Sequence, residues 1–240
     1  FFCMESAILG PIMSKTTTRM ARGSVLLGER DGDVLTLTIN RPDATNAIDS
    51  MLRDELTRAL DDAASDRKVR AIVLTSAGED AFSVGMDVAE IAGYSPLEVE
   101  LLAVKARVVY ERMAALDVPV IAAIKGACLG AGFELALHTD LRIARSDARF
   151  GLPGINVGMN AGGGALGRLQ RVSGIGSAAA LALTGGVVTA ERAFMLGLVS
   201  NVTAMQDFLP SVQQLAAHLT TLSPVAMAET KKLLRVAAEQ

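Results

Sequence analysis

Apolar and polar residues alternate along Val34–Ile39, with Thr36 and Thr38 set between aliphatic neighbours, and a period of two predicts a half-exposed strand. Asn40-Arg41-Pro42-Asp43 ends it in a loop. Leu52, Leu56, Ala59, Leu60 and Ala63 then recur at helical spacing behind Asp49 or Ser50, either of which suits an N-cap. The β-branched run 69–75 predicts the next strand and residues 76–85 a loop. Ser95-Pro96 opens a helix whose apolar stripe reads Leu97, Leu101, Val104 and Val108.

Residues 118–124 form another apolar strand, followed by a Gly-rich bend, a short helix carrying Glu134 and a strand at 141–144. Past Phe150 the pattern turns helical, at 177–183, 189–196, 207–220 and 224–239. Strands and helices alternate first and helices dominate later, with no Pro/Ser-rich linker between them. This predicts one α/β domain with a helical C-terminal portion.

Composition narrows the function classes. Half of the 240 residues are apolar, enough for a substantial core, and 26 acids against 23 Lys and Arg give a net charge of −3. No basic block marks a nucleic-acid footprint. The longest apolar tract, 118–137, contains Lys125, Glu134 and glycines that a membrane span would not ordinarily carry, so no membrane partner is expected. Cys3 and Cys128 are too few for a disulfide framework or a metal knuckle, and a cytoplasmic setting with no metal site is the expectation. Residues 1–22 include Met4, Met13 and Met20 as possible starts and lack a basic segment ahead of their apolar patch. They are expected to form a disordered extension rather than a signal peptide.

The densest chemistry lies in Ala127-Cys128-Leu129-Gly130-Ala131-Gly132-Phe133-Glu134, where small residues stop at one carboxylate at the start of a helix. Gly130 and Gly132 permit close backbone approach, and the first N–H groups of a helix lack internal partners, which suits a developing oxyanion. Ala81-Phe82-Ser83-Val84-Gly85-Met86-Asp87 offers a second tight turn after a strand, with Asp87 as an ordinary N-cap if nothing else is asked of it. Gly162-Gly163-Gly164-Ala165-Leu166-Gly167 matches a dinucleotide fingerprint formally. No acid follows about 20 residues on, so a turn allowing close packing is preferred. His138, one helical turn after Glu134, reads as a packed structural residue. No Gly-x-Ser-x-Gly elbow is present.

Taken in order, Asn40-Arg41-Pro42-x-x-x-Asn46-Ala47, the strand at 69–75, Phe82-Ser83-Val84-Gly85-Met86-Asp87, Pro119-Val120-Ile121-Ala122-Ala123, Gly130-Ala131-Gly132-Phe133-Glu134 and Phe150-Gly151-Leu152-Pro153 resemble the enoyl-CoA hydratase/isomerase family, the crotonases. The resemblance runs from about Val34 to Lys231. It implies a crotonase-like ββα spiral over residues 23–185 and a C-terminal helical region, 186–240, that builds a homotrimer or a dimer of trimers. It also implies an acyl-CoA substrate, with coenzyme A entering as part of the thioester and no tightly bound cofactor. Backbone N–H groups of Met86 and Ala131 would form the oxyanion hole and Glu134 the general base. Asp43, Ala44, Ala47, Met86, Asp87, Val88 and Gly130 would line the coenzyme, with Lys231 near a phosphate or, on the ordinary reading, on a solvated helix face. Hydratases of the family carry a second glutamate twenty positions after the first, where this chain has Gly154. Hydration of 2-enoyl-CoA with Glu134 alone is the leading expectation. A low-turnover acyl-CoA binder, or another crotonase reaction such as isomerisation, decarboxylation or thioester hydrolysis, stands beside it.

Overall fold

The computed structural model of the protein describes residues 24–239; the expected N-terminal extension lies outside the described residues. Six strands, β1 (Leu26–Asp31), β2 (Val34–Ile39), β3 (Ala71–Ser76), β5 (Val120–Ile124), β7 (Leu141–Arg145) and β10 (Asn201–Thr203), lie in that order in one sheet. Four short strands, β4 (Ala81–Ser83), β6 (Ala127–Leu129), β8 (Arg149–Gly151) and β9 (Val187–Thr189), form a second. Pairing is parallel except for the β1–β2 hairpin and the β8–β9 edge. Each of the pairs β3–β4, β5–β6 and β7–β8 therefore gives one strand to each sheet before a helix returns the chain, which is a ββα spiral.

The helices form where caps and apolar spacing coincide. Helix α1 (Ser50–Ser65) starts at Asp49, whose side chain accepts from Leu52 N, and buries Leu52, Leu56, Ala59, Leu60 and Ala63. Helix α2 (Val88–Ile91) is a single turn, and α3 (Pro96–Ala115) opens with a complete Ser95/Glu98 capping box. The stripe that marked α3 in the sequence faces outward: Leu97, Leu101, Val104 and Val108 are exposed, while Leu102, Ala106, Val109, Tyr110 and Met113 are buried. Helix α3 carries apolar residues on two flanks, so periodicity alone does not choose between them. Burial against α1 and the spiral decides.

Helix α4 (Ala131–Leu137) is wholly buried, and α5 (Ala165–Thr184) and α6 (Ala190–Met195) cover the smaller sheet's end of the molecule. Helix α7 (Phe208–Thr221) seats Phe208, Val212 and Ala216 on Val73, Ile121, Ala123 and Ile143 of the larger sheet, and α8 (Pro224–Glu239) follows. Past residue 185 the chain still contributes β9 to one sheet and β10 to the other. The loop expected at 76–85 contains β4, β8 forms around Phe150 itself, and the stretch past Phe150 read as helical contains β9 and β10. Each is three residues long, too short for a period-two signature. No helix among the described residues is long and apolar enough to cross a membrane.

Candidate active site

Two bends from successive turns of the spiral meet beside Glu134. The first follows β6: Gly130 has φ 50° and ψ −128°, a conformation only glycine adopts easily, and its N–H donates to Gly151 O at 2.9 Å. Gly130 O accepts from Glu134 N at 2.9 Å, closing the first turn of α4. A trans peptide directs its C=O and N–H oppositely, so Ala131 N–H points out of the helix.

The second bend follows β4. Ile48 N–H donates to Gly85 O at 2.8 Å and Asp87 N–H to Ile48 O at 3.1 Å, so by the same peptide geometry Met86 N–H faces away from Ile48. Among the described residues, neither Met86 N–H nor Ala131 N–H has an internal acceptor. The bends touch: a Cβ on Gly85 would lie 3.2 Å from Ala131 N and 3.2 Å from Leu129 O.

Glu134, in the first turn of α4, is 6% exposed. Burial pushes its carboxyl up to about 7, against the opposing pull of hydrogen bonds from the backbone N–H groups of Gly163 and Ala165. The Gly163 bond measures 2.7 Å to Oε2. Gly163 must be glycine for this approach, because a Cβ there would come within 2.7 Å of both Glu134 Oε2 and Tyr110 Cε2. The Gly-rich tract 162–167 therefore serves a close contact, as its sequence suggested. Tyr110 is buried below, its hydroxyl donating to Ala131 O at 3.2 Å and its ring 5.3 Å from His138. His138 holds the Glu134 carbonyl through Nδ1 at 2.7 Å, and burial brings its pKa down to about 4, so the ring is neutral and structural at neutral pH.

Gly154 lies half-buried in a 3-10 turn, Pro153–Val157, and its carbonyl accepts from Met159 N at 2.9 Å. It brings no carboxylate toward Glu134. Of the expected coenzyme-lining residues, Asp43 is exposed, Ala44 half-buried and Ala47 buried on the loop before α1, and Asp87 and Val88 open α2. Lys231 is on neither of the paths foreseen for it. It is buried on α8, with Nζ 2.6 Å from Asp140 Oδ2 and 2.7 Å from Val118 O, so its ammonium ties α8 to the edge of the spiral. Spacing along a helix could not announce a partner 91 residues away.

Sequence reasoning passed over Tyr110, the Gly163 and Ala165 donors, and the part of Arg41 that lies beyond its place in the Asn40-Arg41-Pro42 motif. Only the run of glycines at 162–164 carried a signal for any of them. A groove of about 550 Å³ between α1 and α3, lined by Arg53, Glu90, Tyr94, Leu101, Lys105 and Val108 among others, is separate from this site: Met86, Ala131 and Glu134 do not line it. The described residues contain no cluster of three or more His, Cys, Asp or Glu able to hold a metal.

Comparison with known proteins places the chain among enoyl-CoA hydratases in sequence and fold. The short-chain-enoyl-CoA hydratase of Clostridium acetobutylicum is 35% identical over 215 residues, spanning 90% of this chain and 82% of that protein. The 2,3-dehydroadipyl-CoA hydratase of Escherichia coli is 38% identical over 216 residues, spanning 90% and 84%. The crystal structure of an enoyl-CoA hydratase from Bacillus anthracis superposes with a TM-score of 0.85 at 31% identity, covering 88% of this chain and 82% of that one. The pattern described as enoyl-CoA hydratase/isomerase matches residues 29–240, and the chain belongs to that family.

Proposed function

We propose that the chain hydrates 2-enoyl-CoA thioesters, with Met86 and Ala131 N–H groups as the oxyanion hole and Glu134 as sole general base. The observation that carries this reading is a buried carboxyl with a pKa of about 7 beside two touching bends whose N–H groups are free. Hydrogen bonds to the thioester oxygen draw electron density from C3. Glu134 takes a proton from water as its oxygen bonds to C3, and the π electrons move onto the thioester oxygen as an enolate. The proton then returns from Glu134 to C2, which restores the carbonyl and the base. Each backbone donor contributes roughly 3 kcal/mol to the transition state. A base whose pKa sits near neutrality is matched to both taking and returning the proton.

Asp43, Ala44, Ala47, the backbone of residues 86–88 and Gly130 would line the coenzyme, which enters only as part of the substrate. Exposed apolar side chains on α6 and α8, among them Phe194, Met195, Leu233 and Leu234, support assembly of residues 186–240 into a trimer or a dimer of trimers. Gly154 favours a second reading, because the two-carboxylate clamp on water cannot form there: an acyl-CoA binder of low turnover, or another crotonase reaction on the same enolate hole.

The deciding experiment follows loss of the enoyl absorbance of crotonyl-CoA and of several longer or branched enoyl-CoAs. Turnover by the wild type that falls about 10²- to 10⁴-fold in Glu134→Gln supports the hydratase reading. Equal rates remove Glu134 as the base, and absence of turnover on every substrate leaves the second reading.

A further inference from the structure

Met86 belongs to no strand. Its peptide is held by the two bonds to Ile48, an isolated bridge between the loop before α1 and the bend after β4. Other bonds join the same two segments, Val84 N–H to Thr45 O at 3.3 Å, Asn46 Nδ2 to Ala81 O at 2.8 Å and Ser50 N–H to the Glu90 carboxylate at 3.0 Å. Arg41 is the side chain that clasps the residues directly flanking the bridge. Its Nη1 donates to Ala47 O at 2.5 Å, and its Nη2 lies 3.1 Å from Asp49 Oδ2 and 2.8 Å from Asp87 Oδ2. Ala47 and Asp49 flank Ile48 on one side of the bridge, and Asp87 follows Met86 on the other.

The two carboxylates do further duty. Asp49 caps α1 through Leu52 N, and Asp87 caps α2 through Ala89 N and Glu90 N. One guanidinium thus joins both halves of the bridge to two helix starts. The arginine is anchored in turn, its N–H donating to Asn46 Oδ1 at 3.0 Å and its carbonyl accepting from Ala44 N and Asn46 N. The Arg41, Asp49 and Asp87 side chains are each less than a fifth exposed, so the cluster is half-buried. The Arg41 hydrogen bond also holds the Asp87 carboxyl below its ordinary range, so the contact is ionic at neutral pH.

We infer that Arg41 is a positioning residue for the Met86 N–H, acting by locking the peptide that carries it across the Ile48 bridge. The inference rests on the oxyanion role proposed for Met86. Its geometry calls for a planar fork that reaches three acceptors at once, which a lysine ammonium on a flexible stem does not reproduce.

The test uses acetoacetyl-CoA, whose enolate absorbs in the near ultraviolet and whose enolate fraction rises when paired N–H donors meet the thioester oxygen. The wild type is expected to enhance the enolate band on binding. Arg41→Gln and Arg41→Lys, checked for fold by circular dichroism, are expected to lose most of that band. Both should also lose roughly 10- to 100-fold in kcat on crotonyl-CoA while KM changes little. Asp87→Asn keeps the helix cap but not the charge and is expected to show a smaller loss of the same kind, which covers the case in which Arg41→Gln does not fold. An unchanged enolate band in a folded Arg41 variant or in Asp87→Asn, full recovery by lysine, or a rise in KM at constant kcat overturns the inference and leaves the oxyanion reading standing. Absence of the band in the wild type overturns both.

Discussion

Replacing Glu134 by Gln preserves the side chain's size and removes its charge, so the variant isolates what burial does to this carboxyl. The ordinary value of 4.5 is raised to about 7, chiefly by burial. Between those two values the folded chain keeps a proton that the unfolded chain gives up. The sign follows from linkage: the contribution is fully present below about pH 4.5 and is lost as pH rises through about 7. The difference of about 2.5 pH units is worth about 3 kcal/mol once the folded-state carboxyl is ionised. Gln carries no such dependence. At about pH 4 the two proteins should melt together, and at about pH 8.5 the variant should melt roughly 6–12 °C higher, at 2–4 °C per kcal/mol for a domain of this size. Turnover should move the other way, with wild-type kcat/KM rising toward a plateau above about pH 7 as the base ionises. Scanning calorimetry at the two pH values beside the enoyl absorbance assay measures both. A melting gap that fails to widen with pH would refute the claim that burial penalises the charge, whatever the kinetics show.

Three further substitutions bear on the architecture around that carboxyl. Gly163→Ala puts a methyl 2.7 Å from both Glu134 Oε2 and the Tyr110 ring, and should cost about 1–3 kcal/mol in a urea titration together with much of the activity. Lys231→Met leaves Asp140 without its buried ammonium. Because Asp140 is itself partly exposed, the expected loss is about 1–2 kcal/mol, read as a lowered urea midpoint with the kinetics of the remaining folded protein unchanged. Gly154→Glu is compatible with a backbone that is not left-handed there and needs Met159 O, 3.2 Å from the new Cβ, to give slightly. A large gain in crotonyl-CoA hydration is expected, and an unchanged rate speaks against a water clamp at that position.

What the sequence made legible was what local patterns encode. Val34–Ile39 appears as read, the Asp49 cap and the buried face of α1 follow from spacing, and the Gly-rich bend with Glu134 at the head of α4 is where the motif put it. The three-residue strands were invisible because a run that short carries no period, whether buried throughout like β4 or partly exposed like β8, β9 and β10, and their pairing partners are remote in the chain. Helix α3 was legible from Ser95-Pro96 and its apolar spacing, but which of its two apolar flanks is buried was not. The environment of Glu134 was the least legible part. Burial raises its pKa while the Gly163 and Ala165 N–H groups pull it back, and these residues and Tyr110 stand 24 to 31 positions away on either side, a convergence that no local period reports.

The donors at residues 86 and 131 belong to the main chain, and this has a consequence for any mutational survey. Every amino acid except proline supplies the same N–H, so a side-chain scan at these two positions would register crowding and packing but not deletion of the donor itself. Erasing one of these groups cleanly takes a backbone ester in place of the amide, introduced by semisynthesis or by incorporation of an α-hydroxy acid. Tolerance of many residue types at either position is therefore compatible with a central role for both.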